Sequence, residues 1–423
     1  MTVEQQARAA EKAAVYLGTL STELKNTALQ AAARSLGRRR AEVLAANDLD
    51  VQAAEKEKLE APLKQRLRLS ERKIDGLITG LNAVVALPDP VGGRLAEVQL
   101  DDGLLLVKEA VPIGLIGVIF ESRPDALIQI GALCLKSGNA VVLKGGSEAL
   151  HSNRILFAIL REAAESVDSR LVDAFQLVET REEIGELLRL DDVVDLLIPR
   201  GSSRLVRSIR ENTRIPVLGH ADGVCHIYID RDADVEKALN ITRDAKCQYP
   251  AVCNAVETVL VHRAAASAVL PRLAGVLKEV ELRGDPEVCR LVPAHPASES
   301  DWGTEYNDLI LALKIVGSLE EAVDHINRYG SRHTDAIVTE RREAAEAFLS
   351  RVDSSSVMWN CSTRFADGSR YGFGAEVGIS TNKIHARGPV GLEGLTIYKY
   401  KLYGSGQVVA DYVEGRRRFF HGG

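Results

Sequence analysis

From Leu104 to Asn212 the chain repeats one pattern, a short apolar run followed by a stretch of amphipathic helical character. "GLIGVIF" leads into residues 126–136, "NAVVLK" into 151–164, "AFQLV" into 181–190 and "VVDLLI" into 202–212. Parallel strands cannot be joined by a tight turn, so strands separated by helices predict βαβ crossovers and a mostly parallel sheet. A second stretch of the same texture runs from about residue 230 to 395, with apolar runs at "ETVLVH", "LILALKIV", "DAIVT" and "SVMW". The expected class is therefore α/β. At 423 residues the chain is too long for one simple core, and two or three domains are expected.

Two segments break the rhythm. "AEVQLDDGLLLVKEAV" reads as a hairpin turning at Asp101, Asp102 and Gly103, and "LTIYKYKLYGSGQVV" near the C-terminus reads as extended. Extended strands appended to an α/β body commonly build a subunit interface, so a homo-oligomer is expected. The first 80 residues read as helices, with Ser21 as an N-cap ahead of Leu24, Ala28, Ala31 and Ala32 on one face.

Net charge is −6 without a long basic run, which argues against nucleic acid or an anionic membrane as partner. The apolar patches, such as "PIGLIGVIF", are far shorter than a membrane span, and the first residues have no apolar signal region. The cysteines at 134, 225, 247, 253, 289 and 361 include no CxxC pair and no metal-ligand spacing. No metal is expected, and a reducing, cytoplasmic setting fits such cysteine usage.

The chain has neither a P-loop nor a G-x-G-x-x-G fingerprint; "GFGAEVG" at 372–378 comes near but is one residue too long and reads as a structural turn. Two other turns suit an anion. In "VVLKGGSE" a strand ends at Lys144, Gly145 and Gly146 and then enters a helix at Ser147. In "IPRGSS" the strand at 193–198 is followed by Pro199, Arg200, Gly201 and Ser202, which open another helix. A cation and glycines before a helix N-terminus can hold phosphate. Each turn also reads as a solvated cation beside a glycine bend, but two in one sheet favour a nucleotide.

"QYPAVCNAVET" raises the chemical question. A thiolate is the competent nucleophile, and it requires donors or positive potential nearby. Cys253 lies in a loop restricted by Pro250, and Asn254 beside it can donate to an oxyanion. A cysteine among apolar residues also serves as plain packing, the reading given to Cys134 and Cys225; Cys247 is the local rival. A thiol hydrolase or acyltransferase would use the same cysteine with a histidine base such as His220 or His262.

The strings "PIGLIGVIFESRPDALIQIGALCLKSGNAVVLKGGSEA", "VVDLLIPRGSSRLV", "IPVLGHADGVCHIYID", "YPAVCNAVET", "DWGTEY" and "RFADGSRYGFGAEVGISTNKIHARGPVGLEGLT" resemble the γ-glutamyl phosphate reductases (glutamate-5-semialdehyde dehydrogenases) of the aldehyde dehydrogenase superfamily. The likeness runs from about residue 10 to 410. "FESRPD" resembles the reductase half of bifunctional Δ1-pyrroline-5-carboxylate synthases; no kinase half is present here, and a stand-alone reductase is expected. The resemblance implies a Rossmann-type cofactor-binding domain without the glycine fingerprint (1–91 and 107–230), a catalytic domain (231–395) and a β oligomerisation arm (92–106 and 396–423).

It also implies NADPH-dependent reduction of L-glutamyl 5-phosphate to L-glutamate 5-semialdehyde and phosphate, the second step of proline biosynthesis from glutamate. Cys253 stands at the superfamily's nucleophile position, and Glu305 of "DWGTEY" corresponds to a glutamate that touches the nicotinamide ribose. Superfamily members that hydrolyse their thioester carry "ELGG"; the matching stretch here is "VLGH", which puts Val217 where the water-activating glutamate would be. Ser147 stands where many NAD-using relatives carry a ribose-binding glutamate, which admits a 2′-phosphate, although Glu148 follows it. Arg364, Arg123, His385 and Arg387 are the expected contacts to the substrate's anionic ends. Cys361 replaces a residue that is often alanine in relatives. A glutamate 5-kinase that hands over the labile acyl phosphate is the protein partner the resemblance suggests.

Overall fold

A computed structural model describes residues 1–421. Helices fill the start of the chain, at Val3–Leu17, Thr22–Arg38, Arg40–Lys56, Ala61–Leu67 and Glu71–Ala86. Ser21 caps the second of them, its Oγ accepting from Leu24 N. The stripe that this helix buries runs through Lys25, Ala28, Leu29, Ala32, Ala33 and Leu36, while Leu24 faces solvent.

The hairpin at Asp101–Gly103 is present. Strand β1 (Arg94–Asp101) pairs antiparallel with β2 (Leu104–Pro112). Four parallel strands follow: β3 (Leu115–Phe120), β4 (Ala140–Lys144), β5 (Phe175–Leu177) and β6 (Leu196–Arg200). They lie in the order β5-β4-β3-β6. All of β3 and β4 is buried, as expected of strands covered by helices on both faces. Each fully buried Leu, Ile or Val there contributes about 1.5–3 kcal/mol of burial. β6 starts later than the sequence pattern predicts: Val193 and Val194 close a turn on Leu190, and Asp195 accepts from Leu115 N at 2.8 Å. Pro199 and Arg200 consequently end the strand instead of following it. The helix Leu150–Glu165 begins on a carboxylate from a neighbouring helix: Asp50 accepts from His151 N (3.0 Å), Ser152 N (2.8 Å) and Ser152 Oγ (2.6 Å).

A second parallel sheet has seven strands: β7 (Cys225–Ile229), β8 (Val256–His262), β9 (Glu281–Gly284), β10 (His295–Pro296), β11 (Ile310–Val316), β12 (Thr334–Val338) and β13 (Ser356–Trp359). Their order is β10-β9-β11-β8-β7-β12-β13. The short strands β9 and β10 at one side of this sheet have no apolar run to announce them. β14 (Gly378–Ser380) and β15 (Gly388–Val390) form a small pair of their own. β16 (Thr396–Tyr403) completes the three-stranded sheet β1-β2-β16, after which the expected extension breaks into a short helix, Val409–Val413.

The chain divides into two compact units. One comprises Met1–Val217, Phe373–Val377 and the chain from Val390 on; the other comprises Leu218–Gly372 and Gly378–Pro389. The division expected at 230/231 falls after Val217, because β7 pairs with β8 and β12 in the seven-stranded sheet. Among the described residues no helix is long and apolar enough to cross a membrane.

Candidate active site

In the second unit, β8, β7 and β12 are adjacent and parallel, so the loops that precede them meet at one edge of the sheet. His220 and Gly223 precede β7, Cys253 precedes β8, and His333 precedes β12. Glu305 lies in the loop before β11, the other neighbour of β8. Residues remote in sequence are thus gathered by strand order.

The Cys253 loop is held from several sides. The Cys253 carbonyl accepts from Cys225 Sγ at 3.2 Å, and the Asn254 carbonyl accepts from Thr363 Oγ1 at 2.7 Å. One Asn254 amide hydrogen goes to Ala366 O at 2.8 Å, which anchors the loop on the "STRF" segment; Asn254 Oδ1 is buried with no partner among the described residues. Gly223 lies so close that a β-carbon there would stand 2.2 Å from the Cys253 carbonyl oxygen. Cys253 itself is half-buried. Burial pushes four other thiols upward, Cys134 to about 12 and Cys225, Cys247 and Cys361 in the same direction, which disfavours a thiolate at each.

Two imidazoles flank Cys253. The ligand atoms of His220, Cys253 and His333 lie within 4.8 Å of one another. The rings of His220 and His333 meet edge to face, with centroids 4.7 Å apart. His220 Nδ1 lies 2.8 Å from Ile379 O, so this nitrogen carries a hydrogen and donates it to the carbonyl. His333 is fully buried; its Nδ1 lies 2.9 Å from Thr334 Oγ1, and its Nε2 has no partner among the described residues. The Glu305 carboxylate accepts from Gly223 N–H; burial raises its pKa, and nearby His220 opposes that rise. Arg364 is buried and donates from Nε (3.1 Å) and Nη2 (3.0 Å) to Gln248 Oε1. Burial lowers the pKa of its guanidinium, and the nearby Cys253 thiol works the other way.

The other expected contacts in this unit are committed elsewhere. Arg387 Nη1 meets Asp353 Oδ1 and Nη2 meets Asp353 O, each at 3.0 Å, while its buried Nε has no partner among the described residues. His385 is exposed in the same loop. His262 Nδ1 accepts from Ala264 N at 3.0 Å and caps the helix Arg263–Val276; it ends β8 while Cys253 precedes the start of that strand, so it stands out of reach as a base for Cys253.

In the first unit the two expected phosphate turns stand at the carboxyl ends of β4 and β6, on either side of β3. Lys144 is buried, and burial lowers its pKa against the pull of Glu148. Ser147 is exposed at the start of the helical turn. Both turns already face a carboxylate. Glu148 Oε1 accepts from Ser122 N and Ser122 Oγ, each at 2.6 Å, and lies 2.1 Å from where a β-carbon on Gly146 would be. Glu121 Oε2 accepts from Ser202 N at 2.7 Å and crowds Gly201 in the same way. The Ser202 N–H that was expected to face an anion is therefore given to Glu121. Arg200 Nη1 donates to Val377 O, and the exposed Arg123 pairs with Asp125 at 2.6 Å.

Sequence reading misses His333 altogether and meets His220 only as a base for a rival chemistry. Nothing in "SRHTDAIV" marks its histidine; only the adjacency of β12 to β7 does. Glu121 escapes notice because the carboxylates of acidic residues in turns are normally solvated, and Glu148 is met only as the neighbour of Ser147, not as the partner of Ser122.

Residues 1–306 match the aldehyde dehydrogenase family. The gamma-glutamyl phosphate reductase of Acetivibrio thermocellus is 54% identical over 423 residues, covering 100% of this chain and 98% of that protein. The one from Pelotomaculum thermopropionicum is also 54% identical, with 100% and 97% covered. A crystal structure of gamma-glutamyl phosphate reductase from Thermotoga maritima superposes with a TM-score of 0.94 at 40% identity, over 96% of this chain and 100% of the other.

Proposed function

The chain belongs to the aldehyde dehydrogenase family and, within it, to the γ-glutamyl phosphate reductases, and from this we propose that it reduces L-glutamyl 5-phosphate to L-glutamate 5-semialdehyde with release of phosphate, in proline biosynthesis. The observation that carries the chemistry is Cys253, half-buried, clamped through its own backbone and flanked by an imidazole whose Nδ1 is tied down. The Cys253 thiol passes its proton to His220 Nε2, and the thiolate attacks the acyl carbon. The C–O bond to phosphate breaks, phosphate leaves with the bonding electrons, and a thioester remains on Cys253. Backbone N–H groups of the Cys253–Asn254 segment support the oxyanion; one lost donor at such a position typically costs about 3–4 kcal/mol. Arg364, held by Gln248, keeps a cation beside the thiol for the anionic substrate.

A nicotinamide cofactor supplies the hydride when bound. The first unit fits such a group: buried Lys144 and exposed Ser147 close the carboxyl end of β4, next to β3 where the sheet order turns back. NADPH is the reading favoured here, because Ser147 carries no charge to oppose a 2′-phosphate and Glu148 is already engaged by Ser122. Glu305 is the residue we assign to the nicotinamide ribose from its place in "DWGTEY". Val217 offers no base to activate water, so the thioester persists long enough to be reduced.

The reverse assay tests this reading: semialdehyde, NADP and phosphate, with phosphate omitted as control. Absorbance at 340 nm should rise only when phosphate is present. Fast turnover without phosphate would refute the reading, as would acyl phosphate consumption without NADPH oxidation, the behaviour of a hydrolase.

A further inference from the structure

We infer that His220, Cys253 and His333 form a binding site for a thiophilic divalent cation, zinc being the best fit, that shuts the enzyme off reversibly when occupied. Three potential ligands, two imidazoles and a thiol, have their ligand atoms within 4.8 Å of one another. Such a soft set, two nitrogens and one sulfur, selects zinc over magnesium or calcium, which require oxygen ligands. Zinc binds at about 2.0–2.1 Å from nitrogen and 2.3 Å from sulfur, which puts tetrahedral ligands roughly 3.4–3.6 Å apart. The ligand atoms would therefore have to draw together by no more than about 1.5 Å.

The surroundings are those of a metal ligand set. His220 donates its Nδ1 hydrogen to Ile379 O, the kind of support that fixes the ring of a metal-binding histidine. His333 is engaged at Nδ1 by Thr334 Oγ1 at 2.9 Å, with Cys225 Sγ at 3.8 Å. Its Nε2 is buried without a partner among the described residues, in a side chain with no exposed surface. A buried polar atom left unsatisfied costs free energy, and a cation would remove that cost. Three protein ligands leave a fourth tetrahedral position for water. Binding takes the thiol proton into solvent and puts the sulfur lone pair on the metal, so the same atom cannot attack an acyl carbon. The loss of activity rests on Cys253 being the nucleophile as proposed above; the binding of the metal does not.

Cobalt(II) is the spectroscopic probe. Titrated into EDTA-treated full-length protein, it should give one thiolate-to-cobalt charge-transfer band at one cobalt per chain, bleached by zinc. The band should vanish in Cys253→Ser, and cobalt should bind roughly tenfold or more weakly in His333→Asn. Should that buried position fail to fold, His220→Asn serves as the second variant. In the unmodified protein, zinc should slow iodoacetamide labelling of Cys253 at least tenfold and leave Cys361 unaffected, with EDTA restoring the rate. No charge-transfer band, a band that survives Cys253→Ser, or unchanged Cys253 labelling under zinc would overturn the site. A site that fills with zinc while reductase activity persists would leave the site standing and instead remove Cys253 as nucleophile.

Discussion

Cys253 and Cys247 lie six positions apart and their surroundings separate them. Cys247 ends the helix Val235–Cys247, is packed against the core of the second unit, and has its pKa raised by burial. Cys253→Ser should abolish reductase activity while NADPH still binds, whereas Cys247→Ser should keep most of it. The converse result in steady-state assays would reassign the nucleophile. At the end of β4, Ser147→Glu puts a second carboxylate near the one already on Ser122, and should shift preference toward NADH. A charge-assisted bond to phosphate is worth about 1.5–3 kcal/mol net, so the KM for NADPH should rise roughly one to two decades with that for NADH changing less. A wild-type enzyme that prefers NADH would sink that argument, and the carboxylates of Glu121 and Glu148 are where to look for the reason.

Helices and buried strands were legible because their periodicity is local. The short strands β9 and β10 were not, and neither was the assignment of β7, whose neighbours β8 and β12 are remote in sequence. That sheet also carries a pH-sensitive contact. His325, on the helix Leu319–Tyr329, is buried with Nδ1 3.3 Å from Lys314 Nζ of β11. Burial first, then His226 and Lys314, depress its pKa to about 2, from an ordinary 6.5. The unfolded chain therefore takes up a proton below pH 6.5 that the folded chain refuses. The contribution is fully present above 6.5 and falls with acidification, by at most about 1.4 kcal/mol per pH unit. Glu257, paired with Lys246 at 2.6 Å, has its pKa raised by burial from 4.5 to about 7 and acts oppositely, favouring the fold at the acid end of that window. Urea unfolding at pH 7 and pH 5 should show a smaller acid-induced loss in His325→Gln than in wild type; an equal loss in both would exclude His325 as its source.

The three-stranded sheet β1-β2-β16 has β1 and β16 as its edges, neither paired with a further strand among the described residues, and an apolar, aromatic surface. Leu95, Val98, Tyr398, Tyr400 and Leu402 are all exposed on β1 and β16. An open, apolar strand edge is a liability unless something covers it, and a second copy of the chain is the occupant expected from the sequence. Light scattering on eluting protein should give a multiple of 45.9 kDa for wild type. Tyr400→Glu combined with Leu402→Glu should give 45.9 kDa. A wild-type monomer at micromolar concentration would refute the arm as an oligomerisation device.

The sequence by itself determined the α/β class, the hairpin and the Ser21 cap, because each depends on residue types at short spacing. It could not join His220, Cys253 and His333, which stand tens of residues apart. Their meeting is decided by strand order, since adjacent parallel strands bring the loops before them to one edge. The same holds for Glu121 on Ser202 and Glu148 on Ser122, where a carboxylate from one strand end reaches an N–H at the next. Hydrogen bonds act over about 3 Å of space whatever the distance along the chain, so which donors remain open to a ligand is fixed only when the sheet has assembled.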